Sequence, residues 1–294
     1  MSDNAWRTVV IQAYASLTLR EGSLIITSEN GKETIPIEQI KEILVSSEKG
    51  SISFPLLMEL AEQNTKIVFC DRKKNPLCEI HPYHSNFETA GRIMDQAQWT
   101  KRKKESIWRQ IVIQKIKQQM ELLCVLGLDV PCKLKEYYRN IGVNDRTNRE
   151  AMASRIYFNE LFGNDFHRHA DDSINAGLNY GYTILCSAFN RAITMMGYNT
   201  SLGIHHCNRQ NQFNLSCDLM EPFRPFVDKI VYDHRGTDLN WEYRQELISL
   251  IYTECKYNGK ITDIGTAIEW FSRDIIKGME IPYYQVGEIQ FAEA

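Results

Sequence analysis

The spacing of apolar positions changes period once along the chain. Over roughly the first 80 residues it is short and strand-like. Thr8 to Ala13 is β-branched and apolar, Ser23 to Ser28 follows a Glu21-Gly22 turn, and Ile40 to Val45 is another apolar run. Asn30-Gly31 lies between Leu24-Ile25-Ile26-Thr27 and Thr34-Ile35-Pro36-Ile37. It predicts a hairpin, because both residues tolerate the positive φ of a tight turn. Phe54 to Gln63 has helical spacing with Pro55 in its first turn. Lys66 to Cys70 returns to a strand, Asp71 to Pro76 is a polar turn, and Leu77 to His81 is a last strand.

Pro82-Tyr83-His84-Ser85-Asn86 reads as a hinge, and long helical periods follow it. From Lys101 to about Leu126, apolar residues recur at Trp108, Ile111, Val112, Ile116, Met120 and Leu123, with Gly127 as the stop. Asn148 to Phe162 is a second helix, closed by Gly163-Asn164. Asp171-Asp172-Ser173 offers an N-cap to a long helix ending at Gly197, with Ile174, Leu178, Tyr182, Leu185, Phe189, Ala192 and Met196 on its apolar face. Gly177 and Gly181 each cost that helix about 1 kcal/mol relative to Ala, which close approach of another helix or of a DNA backbone would explain. Val227 to Tyr232 and Leu247 to Tyr257 continue the helical pattern, and the stretch from Ile281 is expected to be peripheral. These periods predict an α+β fold, with a small β-rich domain over 1–82 and a larger all-helical domain over 83–294.

Composition adds a compartment and one local charge. The chain has 294 residues, 43% of them hydrophobic, and a net charge of −3, with no global bias toward an anionic partner. Residues 101–120 nevertheless carry seven Lys/Arg against Glu105, which puts +6 there and −9 on the remainder. A solvated helix face is the plain explanation, and a phosphate track the sharper one. The first residues lack the basic-then-apolar order of a signal peptide. No apolar run reaches the about 18 residues needed to span a bilayer. Eight cysteines without a Cys-x-x-Cys pair are expected to be reduced and mostly buried, and the cytoplasm is the expected compartment.

The chemistry concentrates between Thr200 and Phe226. A histidine, His205 or His206, precedes Asp218 and Glu221, which are three apart and would share a helical face. Such a pair is more often a solvated face than a metal site. Here both acids lie in an apolar run, where uncompensated carboxylates are costly to bury. Pro222 and Pro225 mark a helix start or kink. Glu150, between Arg149 and Arg155, offers a third carboxylate. One imidazole and two or three carboxylates suit Mg2+ or Mn2+ better than structural zinc, with the imidazole more at ease on Mn2+.

Three motifs, in order, resemble the CRISPR-associated spacer-acquisition integrase family, "Cas one". They are Asn148-Arg149-Glu150-Ala151 through Arg155-Ile156-Tyr157-Phe158, then Asp172-Ser173-Ile174-Asn175-Ala176-Gly177-Leu178-Asn179-Tyr180-Gly181-Tyr182, and the paired runs Leu202 to His206 and Asn214 to Pro225. The Gly-Asn-Asp-Phe run at 163–166 looks most like the type II version. The resemblance implies that Glu150, His206 and Glu221 hold the metal, since the family pattern Leu-Gly-x-x-His selects His206, and that Asp218 serves the same site. It implies transesterification, in which the 3′-hydroxyl of a captured DNA fragment attacks a phosphodiester of the CRISPR array. Arg149, Arg155, Arg224, Asn175, Tyr180, Lys101, Arg102 and Lys104 become candidate contacts to double-stranded DNA, although Asn175 and Tyr180 could instead lock the central helix and packing is the favoured role for Tyr180. The implied assembly is a homodimer through the β-rich domain, bridged by the companion "Cas two" into a heterohexamer, with the type II effector nuclease as a further partner. A metal-dependent nuclease for branched DNA and a non-catalytic DNA scaffold are the alternatives.

Overall fold

The computed structural model describes residues 7–72, 76–80, 88–142, 145 and 147–292. The hinge expected at 82–86 lies outside them. The chain divides into two compact units, Met1–Phe87 and Glu88–Ala294.

The first unit is built from two four-stranded sheets. Its elements are β1 (Arg7–Ile11), β2 (Ala15–Arg20), β3 (Ser23–Ser28), β4 (Gly31–Pro36), β5 (Ile40–Val45), β6 (Gly50–Ile52), α1 (Phe54–Glu62), β7 (Lys66–Cys70) and β8 (Pro76–Ile80). One sheet runs β1-β5-β7-β8 and the other β4-β3-β2-β6. The expected hairpin forms between β3 and β4, with Ser28 opposite Gly31 and Glu29-Asn30 as the loop. Gly31 supplies a φ of +120° at its exit, a value that suits glycine. Ser53 caps α1 by accepting from Leu56 N–H, and Leu56 and Leu60 on its buried face join Leu17, Leu24, Ile43 and Ile67 in one core.

In the second unit the helices are α2 (Thr89–Ala97), α3 (Lys101–Val125), α4 (Cys132–Arg139), α5 (Arg149–Phe162), α6 (Ser173–Met195), α7 (Asn214–Leu219), α8 (Arg224–Asp233) and α9 (Trp241–Ser249). Then come β9 (Glu254–Tyr257), β10 (Lys260–Asp263), α10 (Ile264–Glu280) and β11 (Ile289–Phe291). The all-helical expectation therefore fails at β10-β9-β11, a three-stranded antiparallel sheet. Asn258-Gly259 makes the turn, with φ of +50° and +74°, the same dipeptide signal that marked the first hairpin. The stretch after Ile281 is not peripheral either, because Ile289 and Phe291 are buried.

Two long helices frame this unit. α6 starts at Asp172, whose side chain accepts from Asn175 N–H. A Cβ on Gly177 would collide with Tyr243 and crowd Val231, and one on Gly181 would collide with Val227 and crowd Leu247. Close packing of α8 and α9, rather than a DNA backbone, thus accounts for both glycines. α3 packs against α5, α8, α10 and the turn Glu221–Phe223. Phe223 meets Phe189 and Phe271 edge-on at centroid distances of 5.2 and 5.4 Å, which anchors that turn in the core. Among the described residues no helix is long and apolar enough to cross a membrane. The cysteines are less buried than expected: Cys78, Cys124, Cys132 and Cys207 are exposed and only Cys255 is buried.

Candidate active site

Asp218 and Glu221 do not share a face. α7 ends at Leu219, and Pro222 converts the next turn to a tight 3-10 turn that starts at Glu221. Asp218 turns toward the loop before α7. It is fully buried and accepts from the backbone N–H groups of Ile204, His205 and His206 at 2.6, 3.0 and 3.0 Å. His206 Nδ1 also lies 2.6 Å from its Oδ1. A carboxylate so occupied positions the loop and the imidazole together. The hydrogen bond to Asp218 raises the His206 pKa against the effect of burial. It takes up Nδ1 and leaves Nε2 as the nitrogen that can meet a ligand.

Glu221 turns the other way, onto α3. Its Oε2 lies 2.6 Å from Lys115 Nζ and its Oε1 3.0 Å from Arg224. The same Lys115 ammonium pairs with Glu150 Oε1, carried on the first turn of α5. Ser154 Oγ donates to that oxygen at 3.2 Å, one turn along the helix. Burial alone would push Glu221 up, but Arg224 and Lys115 outweigh it and hold the carboxyl at about 2. Burial likewise lowers Lys115, and Glu221 and Glu150 more than compensate, so its pKa is raised. Both carboxylates are gathered on one cation. As they stand, among the described residues no three His, Cys, Asp or Glu side chains are close enough to grip a metal ion. Lys115 occupies the point where two of the expected ligands meet.

The donor set itself fits a hard divalent ion. Two carboxylates already share a cation, and Glu221 Oε2, though buried, has no well-aligned hydrogen-bond donor. A cavity of 780 Å³ opens beside them, walled by Lys115, Glu150, Arg155, Arg168, Glu221 and Arg224. Next to it, Tyr157 and Tyr182 donate to buried Asp228 at 2.8 and 2.5 Å, and Arg224 lies over the Tyr182 ring at 4.5 Å.

The expected DNA contacts divide. Arg155 is exposed and lines the cavity, and Arg224 lines it while paired with Glu221. Lys101 and Arg102 are exposed on the first turn of α3. Asn175 and Tyr180 are each 2% exposed, so a backbone phosphate cannot reach them. Asn175 instead accepts from Arg168 at 3.0 Å and donates to the His167 carbonyl at 2.9 Å, fastening the loop before α6. Arg149 is held by Thr147 Oγ1 at 3.0 Å. Lys104 donates to the Gly203 carbonyl at 2.9 Å, and Lys103 to the carbonyls of Met279 and Glu280 at the end of α10. Much of the +6 segment thus serves internal carbonyls and carboxylates.

Sequence reasoning passed over Lys115 and Trp108. Both lie on the buried face of α3, and a lysine four residues after Ile111 on an apolar stripe was the available signal. Trp108 is 4% exposed and carries the His205 ring stacked at 4.2 Å with an interplanar angle of 1°. The His206 ring meets it edge-on at 6.0 Å.

Residues 8–237 match the family described as CRISPR associated protein Cas1. The chain belongs to the Cas1 family. A relative named CRISPR-associated endonuclease Cas1, from Neisseria meningitidis serogroup C, is 34% identical over 227 residues, 77% of this chain and 75% of its own. Among solved structures, a casposase bound to integration product aligns with a TM-score of 0.76 at 17% identity, over 94% of this chain and 91% of that one. A Cas6-RT-Cas1–Cas2 complex aligns with a TM-score of 0.71 at 19% identity, over 97% of this chain and 36% of that one. At such identities the structural likeness speaks for the Cas1 fold alone.

Proposed function

We propose that this Cas1-family protein is a metal-dependent DNA integrase. It inserts short DNA fragments into a CRISPR array by attack of a 3′-hydroxyl on a phosphodiester. The observation that carries the reading is the convergence of Glu150 and Glu221 on one cation at the wall of a 780 Å³ cavity lined by Arg155, Arg168 and Arg224. Glu150, Glu221 and His206 Nε2 would hold Mg2+ or Mn2+. When bound, the ion supplies Lewis-acid stabilisation of the scissile phosphate and the leaving 3′-oxygen. Asp218 fixes the tautomer and direction of His206, and Arg224 neutralises the spare oxygen of Glu221. Arg155 faces the cavity where phosphate charge would enter, and Lys101 and Arg102 extend the positive surface. One phosphodiester replaces another, so no energy input is needed.

Family membership supports a proposed assembly. The casposase of the same fold is bound to an integration product, and part of a chain in a Cas6-RT-Cas1–Cas2 complex shares this fold. These support double-stranded DNA as substrate and a Cas2 subunit as partner. A homodimer through the β-rich unit, bridged by Cas2 into a heterohexamer, acting in the cytoplasm, completes the reading. The Gly-Asn-Asp-Phe run at 163–166 supports a type II system and its effector nuclease as a further partner. Hydrolysis by the same residues is the second reading, favoured by the endonuclease name of the Neisseria relative.

The deciding experiment incubates the protein and its companion with a short duplex bearing 3′-hydroxyls and a plasmid carrying a repeat array, with Mn2+ or Mg2+. Covalent joining that disappears in Glu150→Ala, His206→Ala and Glu221→Ala is expected. Cutting without joining would sink integration in favour of hydrolysis.

A further inference from the structure

Lys115 stands on the buried face of α3, its side chain 9% exposed. An ammonium there loses its hydration, and its carboxylate partners are what make the position tenable. Those partners are Glu150 Oε1 and Glu221 Oε2. Without a cation between them the two carboxylates would repel and separate. A hard divalent ion would draw its oxygen ligands from the same two carboxylates. An ammonium bridging that pair and a metal ion bridging it would stand in direct contact, two like charges in one place. They exclude each other.

We propose that Lys115 is a positioning residue that holds the place of the divalent cation and leaves Glu150 and Glu221 when the cation binds. The inference rests on the metal reading above and extends it. In the metal-free protein the ammonium keeps both carboxylates gathered, so the site is assembled before it is filled. On metal entry the long, flexible side chain turns into the adjoining cavity. It there adds a positive charge to a wall that already carries Arg155 and Arg168. Metal entry and the arrival of a phosphodiester then favour one another, and each tightens the other by the same factor.

The test measures Mn2+ binding by titration calorimetry on the full chain, comparing wild type, Lys115→Met and Glu221→Gln. Wild type is expected to bind and Glu221→Gln to bind far more weakly. Lys115→Met is expected to bind about tenfold more tightly than wild type, because no ammonium has to leave. Equal or weaker binding by Lys115→Met overturns the inference and leaves the metal reading standing. Failure of the wild type to bind any metal sinks both. Should Lys115→Met not fold, reductive methylation of the wild type, read by mass spectrometry, decides the matter. Lys115 is expected to resist modification without Mg2+ and to react at saturating Mg2+, and an unchanged pattern overturns the inference.

Discussion

Asp218 holds His206 at two points: its Oδ1 accepts from the backbone N–H at 3.0 Å and lies 2.6 Å from ring Nδ1. Its Oδ2 meanwhile gathers the N–H groups of Ile204 and His205. One buried carboxylate therefore sets both the loop and the ring. Asp218→Asn keeps the size but loses the charge, and its NH2 cannot accept. Joining activity is expected to fall by about 10–100-fold, as for other groups that orient a metal-binding histidine. Single-turnover integration assays check this, and wild-type activity in Asp218→Asn would remove Asp218 from the mechanism.

Gly203 is required by that same carboxylate. A Cβ there would collide with the His206 carbonyl oxygen and stand 2.9 Å from Asp218 Oδ2 and 3.0 Å from Asn214 Cβ. Gly203→Ala must open the loop, and a cost of about 1–3 kcal/mol is expected, typical of overpacking. Denaturant unfolding measures it, and joining should drop in parallel because His206 is displaced.

His205 contributes an aromatic face to the site. Its ring covers Trp108. His205→Phe is expected to keep stability and joining close to wild type, whereas His205→Ala should lose about 0.5–1.5 kcal/mol of stacking and reduce joining. Loss of activity in His205→Phe would give the imidazole itself a chemical role.

Asp228 gives a pH signature. Burial raises its carboxyl from 3.8 to about 6, although Tyr182, Tyr157, Arg224 and Lys115 all oppose the rise. Between those values the folded protein binds the proton more tightly than the unfolded chain. This contribution to stability is fully present below about pH 4 and is lost as pH rises through 6. Its size is at most about 3 kcal/mol. Asp228→Asn should flatten that part of the profile when unfolding free energy is compared at pH 4 and pH 7. A wild-type and variant pair with parallel profiles would refute it.

The strands β3, β5 and β7 and the helices α3, α5 and α6 were legible from period and caps, because each buries a regular stripe or alternates in and out. The sheet β10-β9-β11 was missed, although Asn258-Gly259 carries the dipeptide recognised at Asn30-Gly31. Cys255 and Tyr257 fitted the end of a helical stripe as well as a strand, and a four-residue element is too short for period to arbitrate. Asn175 and Tyr180 left DNA contact and helix packing both open, with packing favoured for Tyr180. Polar and aromatic residues on a helix look alike whether they face DNA or the neighbouring helix, and here both are buried.

The sequence by itself set out Glu150, His206 and Glu221 as candidates for one site, because the motifs that carry them resemble those of the Cas1 family. It also placed the acids in apolar runs, where they demand a counter-charge. Only the tertiary structure decided which counter-charge each one meets. Asp218 and Glu221, three residues apart, part company because the helix ends between them at Leu219. Lys115 is 35 residues from Glu150, and no local spacing joins them. Their meeting depends on α3 lying against α5 and the Glu221 turn. That packing is set by apolar contacts spread along both helices, not by the charged groups that it brings together.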